Sequence, residues 1–176
     1  MLPDGAALAP WRTPAVTLRL LVAPLGQRSS VPANGPAAAF EAHVTVGEDR
    51  LVALVRRDGV GLVELTTAPV EALGDELERV LQGLGGAPGD GTEVRVSRAA
   101  FAALCEGGGG PGADVLARAT RVLETTLVTP DGAVTGGLWY DADGWWRVDV
   151  LGADVVLHPA APRARDWAPL LDQVLT

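Results

Sequence analysis

Phe40-Glu41-Ala42-His43-Val44-Thr45-Val46 sets an apolar residue at every second position, with Glu, His and Thr between them. That two-residue period is the mark of a strand with one wet face. A turn follows at Gly47 to Arg50. Leu51 to Val55 and Val60 to Leu65 are then nearly continuous apolar runs joined across Arg57-Asp58-Gly59-Val60, where Asp-Gly supplies the positive φ of a tight hairpin. The spacing therefore predicts a three-stranded meander whose last two members are central strands.

Beyond the meander, Pro69 to Leu84 carries Val70, Leu73, Leu77, Val80, Leu81 and Leu84 with Glu71, Asp75, Glu76 and Glu78 between them, the pattern of an amphipathic helix. Thr67 or Ala68 stands at its start, Pro69 sits in the first turn, and Gly83, Gly85 and Gly86 end it. A Gly/Pro/Asp loop leads to a short strand at Glu93 to Val96. Ser97 then caps a short helix through Cys105, and a further helix is expected over Asp114 to Glu124.

The same grammar returns in the second half. It reads strand Thr126 to Thr129, turn Pro130-Asp131-Gly132, strand Val134 to Tyr140, turn Ala142-Asp143, strands Trp145 to Val150 and Asp154 to Leu157, and a closing helix Pro162 to Leu175. Val63-Glu64-Leu65 and Val155-Val156-Leu157 each precede a proline and a helix. Those helices end in Leu77-Glu78-Arg79-Val80-Leu81 and Leu171-Asp172-Gln173-Val174-Leu175. The sequence thus predicts an α+β protein with a central antiparallel β-sheet. Two pseudo-repeated strand meanders, each followed by an amphipathic helix, make it quasi-two-fold. The repeats run over about 37–84 and 124–176 of one domain, 37–176, with a helical linker between them. Residues 1–36, rich in Pro, Gly and Ala, read as an irregular lead-in with one short element at Val16 to Ala23.

With 176 residues one hydrophobic core suffices. The net charge of -8 has no compensating basic stripe, which argues against nucleic acid and anionic lipid surfaces as partners. The apolar run from Ala15 to Leu25 is interrupted by Arg19 and fits neither a signal peptide nor a membrane span. A single Cys105 excludes an intramolecular disulfide, and with these features the expectation is a cytoplasmic protein without membrane insertion.

Catalytic, cofactor and metal patterns are not found, so the expectation is a non-enzyme with no cofactor, no metal and no catalytic residue. Gly107 to Gly112 lacks the Gly-Lys-Ser/Thr ending of a phosphate loop, and Gly83 to Gly91 has no dinucleotide fingerprint. His43 and His158 stand in no metal-ligand spacing and read as surface or capping residues. Asp141 and Asp143 lack the remaining ligands of a calcium loop. Cys105 has Leu104, Glu106 and glycines beside it, a poor setting for a thiolate.

Five of the eight aromatic residues are Trp, which directs attention to the hairpin Gly137 to Val150. If Ala142 and Asp143 form its turn, Tyr140 pairs with Trp145 and Trp139 with Trp146. Val148 and Val150 share the face of Trp146, which should look inward. Tyr140 and Trp145 then face outward beside Arg147. That face is either a protein-binding surface of large rigid rings or is covered by a helix of the same chain.

The order and spacing of these features resemble the EspG-type chaperones associated with ESX (type VII) secretion in actinobacteria. The resemblance runs from about Leu18 to the end. It includes the Leu-rich stretch Leu18 to Pro24, the meander beginning at Leu51 and reaching Asp58-Gly59, the acidic helix, and the Pro88 to Gly91 loop leading to Val94 to Ser97. It continues in Gly137 to Asp141, Asp143 to Trp146, His158-Pro159-Ala160 and the final Leu-rich helix. It implies a quasi-two-fold fold and a non-enzymatic chaperone or adaptor. The implied partner is a helical-hairpin secretion substrate of the PE-PPE or WXG100-like kind, kept soluble and delivered to the secretion machine. Contacts in such proteins come from a loop between central strands, here Arg56 to Gly59, and from the C-terminal helix around Trp167 to Leu175. The chain is shorter than usual for the family. Either its start is truncated or it is a reduced relative whose open sheet edge is covered in a homodimer.

The sequence reading is therefore a substrate-binding chaperone, with Arg56, Arg57, Asp58, Tyr140, Trp145, Arg147 and Trp167 as partner-binding residues. A stand-alone interaction module such as a toxin-immunity protein is the alternative, and an enzyme with an unfamiliar site stands behind both.

Overall fold

A computed structural model of the chain describes residues 9–12, 14–25, 40–57, 63–169 and 171. They form one nine-stranded antiparallel sheet in the order β4-β3-β2-β1-β6-β7-β8-β9-β5. The strands are β1 (Val16–Pro24), β2 (Phe40–Val46), β3 (Arg50–Arg57), β4 (Val63–Pro69), β5 (Val94–Ser97), β6 (Arg121–Thr129), β7 (Gly132–Asp141), β8 (Trp145–Leu151) and β9 (Asp154–Pro159). Helices are short: α1 (Ala9–Arg12), α2 (Leu73–Gln82), α3 (Arg98–Cys105) and α4 (Ala113–Arg118). The α+β class and the paired meanders expected from sequence are present. The meander β1-β2-β3-β4 and the meander β6-β7-β8-β9 meet where β1 pairs antiparallel with β6.

Two sequence expectations are corrected at that junction. The stretch read as a lead-in supplies β1, a central strand whose Val16, Leu18, Leu20 and Val22 are fully or almost fully buried. Arg19 does not break the strand, because by alternation its side chain leaves on the opposite face and meets Glu41 of β2. The helix expected over Asp114 to Glu124 stops at Arg118. Ala119 is extended, and Val122, Leu123, Thr125 and Leu127 enter the sheet as part of β6. Val115, Leu116, Val122 and Leu123 fit a helical face by spacing alone. Pairing with β1 and β7 on both sides decides for the strand.

The sheet has a separate apolar cluster on each face. On one, α2 lays Leu77, Val80 and Leu81 over β1, β2 and β3, and the cluster continues through Leu123, Trp139, Trp145 and Trp167. On the other, α3 and α4 cover the second meander, with Leu104 and Val115 packed among Val122, Tyr140, Trp146, Val148 and Leu157. A 3-10 turn, Val70–Ala72, leads into α2 directly from β4, so Thr67 and Ala68 remain strand residues. Ser97 caps α3 as expected, its hydroxyl accepting from the Ala100 N–H at 3.2 Å. The closing helix is represented by a 3-10 turn, Ala164–Asp166, and helical backbone at Ala168, Pro169 and Leu171. The rest of that expected helix lies outside the described residues.

Candidate functional site

The Trp-rich hairpin decides how the second meander is built. Its connection is the three residues Ala142, Asp143 and Gly144, and β7 pairs with β8 as Tyr140↔Trp146, Asp141↔Trp145 and Trp139↔Arg147. Asp143 and Gly144 both take positive φ, at 57° and 124°. The added residue shifts the register by one, and a one-residue slip moves side chains to the other face. Tyr140 therefore joins Trp146 in the cluster under α3 and α4, while Trp145 joins Trp139 in the cluster under α2.

Both faces of the hairpin are buried, which overturns the outward-facing pair expected from sequence. Tyr140 is 4% exposed and Trp145 0%. Trp145 is covered by the loop that follows α2. Its indole N–H donates to the Gly85 carbonyl at 2.8 Å, its backbone N–H to the Ala87 carbonyl at 2.8 Å, and its carbonyl accepts from Gly89 and Ala160. The Arg121 guanidinium lies 5.3 Å from its ring centroid and is itself paired with Asp141. Gly89 is required here by close approach, since a Cβ at that position would lie 2.0 Å from the Trp146 Nε1.

Trp167 is also buried, at 0% exposure. Its indole N–H donates to Thr125 Oγ1 at 3.1 Å in the middle of the sheet, and its ring meets Trp139 at 5.4 Å between centroids. It anchors the C-terminal segment. Arg147 ties down the same segment, donating to Asp149 Oδ1 at 2.8 Å and to Asp166 Oδ1 at 2.7 Å while lying 5.4 Å over Trp139. His158 extends this network, with Nε2 2.8 Å from Asp149 Oδ2.

Arg56 is the one of the seven sequence-derived residues that the structure places openly at the surface among those described, 51% exposed near the end of β3. Arg57 belongs to β3 by its backbone, and its side chain and Asp58 lie outside the described residues. Arg56 does not stand alone. On the face of the first meander opposite α2, Glu41 is ringed by His43 at 2.9 Å, Arg56 at 3.1 Å and Arg19 at 3.4 Å. The His43 hydrogen bond, helped by the positive charges of His43, Arg19 and Arg56, lowers the Glu41 pKa below the ordinary carboxylate value despite partial burial. Trp11 of α1 borders the group, 6.5 Å from the His43 ring. This cationic and aromatic surface was not singled out from sequence. The signal was available, because Glu41 and His43 are two apart on one strand and so share a face.

The exposed Cys105 borders a cleft with Leu104, Leu116 and Tyr140, and its sulfur lies 3.9 Å from the Tyr140 hydroxyl. Among the described residues, no group of three or more His, Cys, Asp and Glu is placed to hold a metal ion, and no helix is long and apolar enough to cross a membrane.

The architecture resembles that of a solved secretion chaperone. A solved structure of the type VII secretion system chaperone EspG5 of Mycobacterium tuberculosis, in complex with a PE25-PPE41 dimer, superposes with a TM-score of 0.59. The match covers 97% of this chain and 75% of that one at 14% sequence identity. At that identity the likeness is one of fold. No family model and no curated protein matches the chain by sequence.

Proposed function

We propose that this protein is a non-catalytic, cytoplasmic chaperone or adaptor that holds a helical-hairpin secretion substrate of the PE-PPE or WXG100-like kind for a type VII secretion system. The observation that carries the reading is the fold: nearly the whole chain follows EspG5, and that chaperone was solved in complex with a PE25-PPE41 dimer. The resemblance of motif order, from Leu18 to the final Leu-rich helix, points the same way.

The surface offered for capture is the end of the first meander. Arg56 projects from β3 there, next to Arg19 and His43. Two arginines and a histidine around one carboxylate leave positive charge in a chain whose net charge is -8, which suits a substrate tip bearing carboxylates. Tyr140, Trp145 and Trp167 serve in this reading as the core that holds the two halves in register.

Co-expression tests the proposal. A PE-PPE-type pair that is insoluble alone should become soluble and co-purify with this chain, and Arg56→Ala should reduce the amount recovered while costing the fold only the exposed ion pair with Glu41, a fall in melting temperature of about 4 °C or less. A pair that stays insoluble beside well-folded chain contradicts the proposal.

A further inference from the structure

The two edges of the sheet are finished differently. At one end β5 is only four residues long, runs straight into α3, and carries Arg95 between Glu93 at 3.6 Å and Asp154 at 4.0 Å. Short length and flanking charge are the usual protection of an edge strand. At the other end β4 is seven residues long with proline only at its last position. Its one charged residue, Glu64, is turned to the α2 side, where Arg79 holds both Glu64 and Thr66. Val63 and Leu65 point to the opposite side, 54% and 40% exposed.

The hydrogen-bonding direction of β4 follows from its neighbours. Val70 N–H donates to the Asp49 carbonyl and Gly47 N–H to the Arg50 carbonyl. With the register Arg50↔Pro69 through Arg56↔Val63, strict alternation turns the backbone groups of Glu64, Thr66 and Ala68 toward β3. The N–H and C=O groups of Val63, Leu65 and Thr67 therefore point out of the sheet. These three residues are symmetric about Leu65.

We propose that two copies of this chain join antiparallel along β4, with the two-fold axis at Leu65. Leu65 then exchanges both of its backbone hydrogen bonds with Leu65 of the second copy, and Val63 does so with Thr67 of the second copy, twice by symmetry. Such a contact is isologous and closes at two chains. Leu54 pairs with Leu65 inside each copy. Joining the edges thus lines up Leu54 and Leu65 with their second-copy equivalents across four adjacent strands, on the face where Val63 and Leu65 are now exposed. Charge also fits, because Glu64 faces Thr66 of the second copy and no like charges stand opposite along β4. The edge by itself supports this contact, whether or not the protein is a chaperone.

Light scattering over a concentration series, with amide exchange read on the same samples, tests it. The wild type should shift from monomer to dimer as concentration rises, and the Leu65 and Thr67 amides should become protected in step. Thr67→Pro removes an N–H that β3 does not use, and one interstrand hydrogen bond is lost from each copy. The dimer dissociation constant should rise about tenfold or more with the melting temperature of the monomer retained. Leu65→Lys, which sets two ammonium groups face to face, should do the same, and Arg95→Ala on the other edge should leave the constant unchanged. A wild type that stays monomeric, a dimer in which the Leu65 and Thr67 amides exchange freely, or a dimer indifferent to both β4 variants overturns the proposal. Should either variant fail to fold, the amide exchange of the wild type decides.

Discussion

Trp145→Ala separates a structural tryptophan from a binding one. The side chain is fully buried against the loop after α2, bonded to the Gly85 carbonyl and stacked under Arg121. Truncation leaves a cavity between that loop and the sheet, and large-to-small changes of this kind cost about 3–5 kcal/mol. For a domain of this length each kcal/mol moves the melting temperature by about 2–4 °C, so a fall of roughly 6–20 °C is expected. Trp145→Phe keeps most of the ring contact and loses the N–H. Because Gly85 is exposed and its carbonyl can turn to water, that variant should lose about 1 kcal/mol. Circular dichroism or calorimetric melts of the two variants beside the wild type provide the assay. A Trp145→Ala protein that melts with the wild type rules out the buried placement, since a ring in a covered, bonded site cannot be removed without loss.

Three further outcomes follow from other parts of the structure. Gly89→Ala forces a Cβ onto the Trp146 indole and should destabilise the protein by about 1–3 kcal/mol, read by the same melts. Asp166→Ala removes one of the two carboxylates that hold Arg147 and the acceptor of the Arg163 N–H, so amide exchange over residues 163–169 should quicken more than exchange in β1 or β6. Glu41 has a folded pKa below its unfolded value, so the stability it adds is fully present at neutral pH. That stability starts to fall as pH drops through about 4.3 and is lost below the lowered folded value. Glu41→Gln should remove that share of the acid dependence, checked by denaturant melts across the acid range.

β2 was legible because one of its faces is wet, whereas β4, expected as a central strand over Val60 to Leu65, is an edge strand that runs on to Pro69. Phe40 to Val46 alternates because Glu41, His43 and Thr45 face away from the α2 core, and the spacing of Leu77, Val80 and Leu81 marks the stripe that α2 buries. Legibility failed where apolar residues at adjacent positions fit a helix as well as a strand. Arg121 to Leu127 carries apolar residues on adjacent positions, and only its pairing with β1 and β7 distinguishes it from a helix continuing α4. The short element expected at Val16 to Ala23 is β1; what the sequence did not show is its place in the sheet, because its partner β2 begins at Phe40, at a separation no local pattern reports. The aromatic site failed on a single residue. Whether Gly144 belongs to the turn or to the strand decides the face of Tyr140 and of Trp145, and local sequence favours neither. Arg56 could be placed because it sits at a strand end next to Asp58-Gly59, whereas its association with Arg19 depends on strands brought together by the β1–β2 and β2–β3 pairings.

Whether this fold holds a helical partner is answered by titration. Purified chain is mixed at increasing ratio with a soluble PE-PPE-type helical pair and followed by light scattering coupled to size exclusion. A chaperone of this kind should give a defined complex that saturates at a fixed stoichiometry and weakens with Arg56→Ala. Two components that elute separately at every ratio, with the chain folded throughout, contradict the chaperone reading.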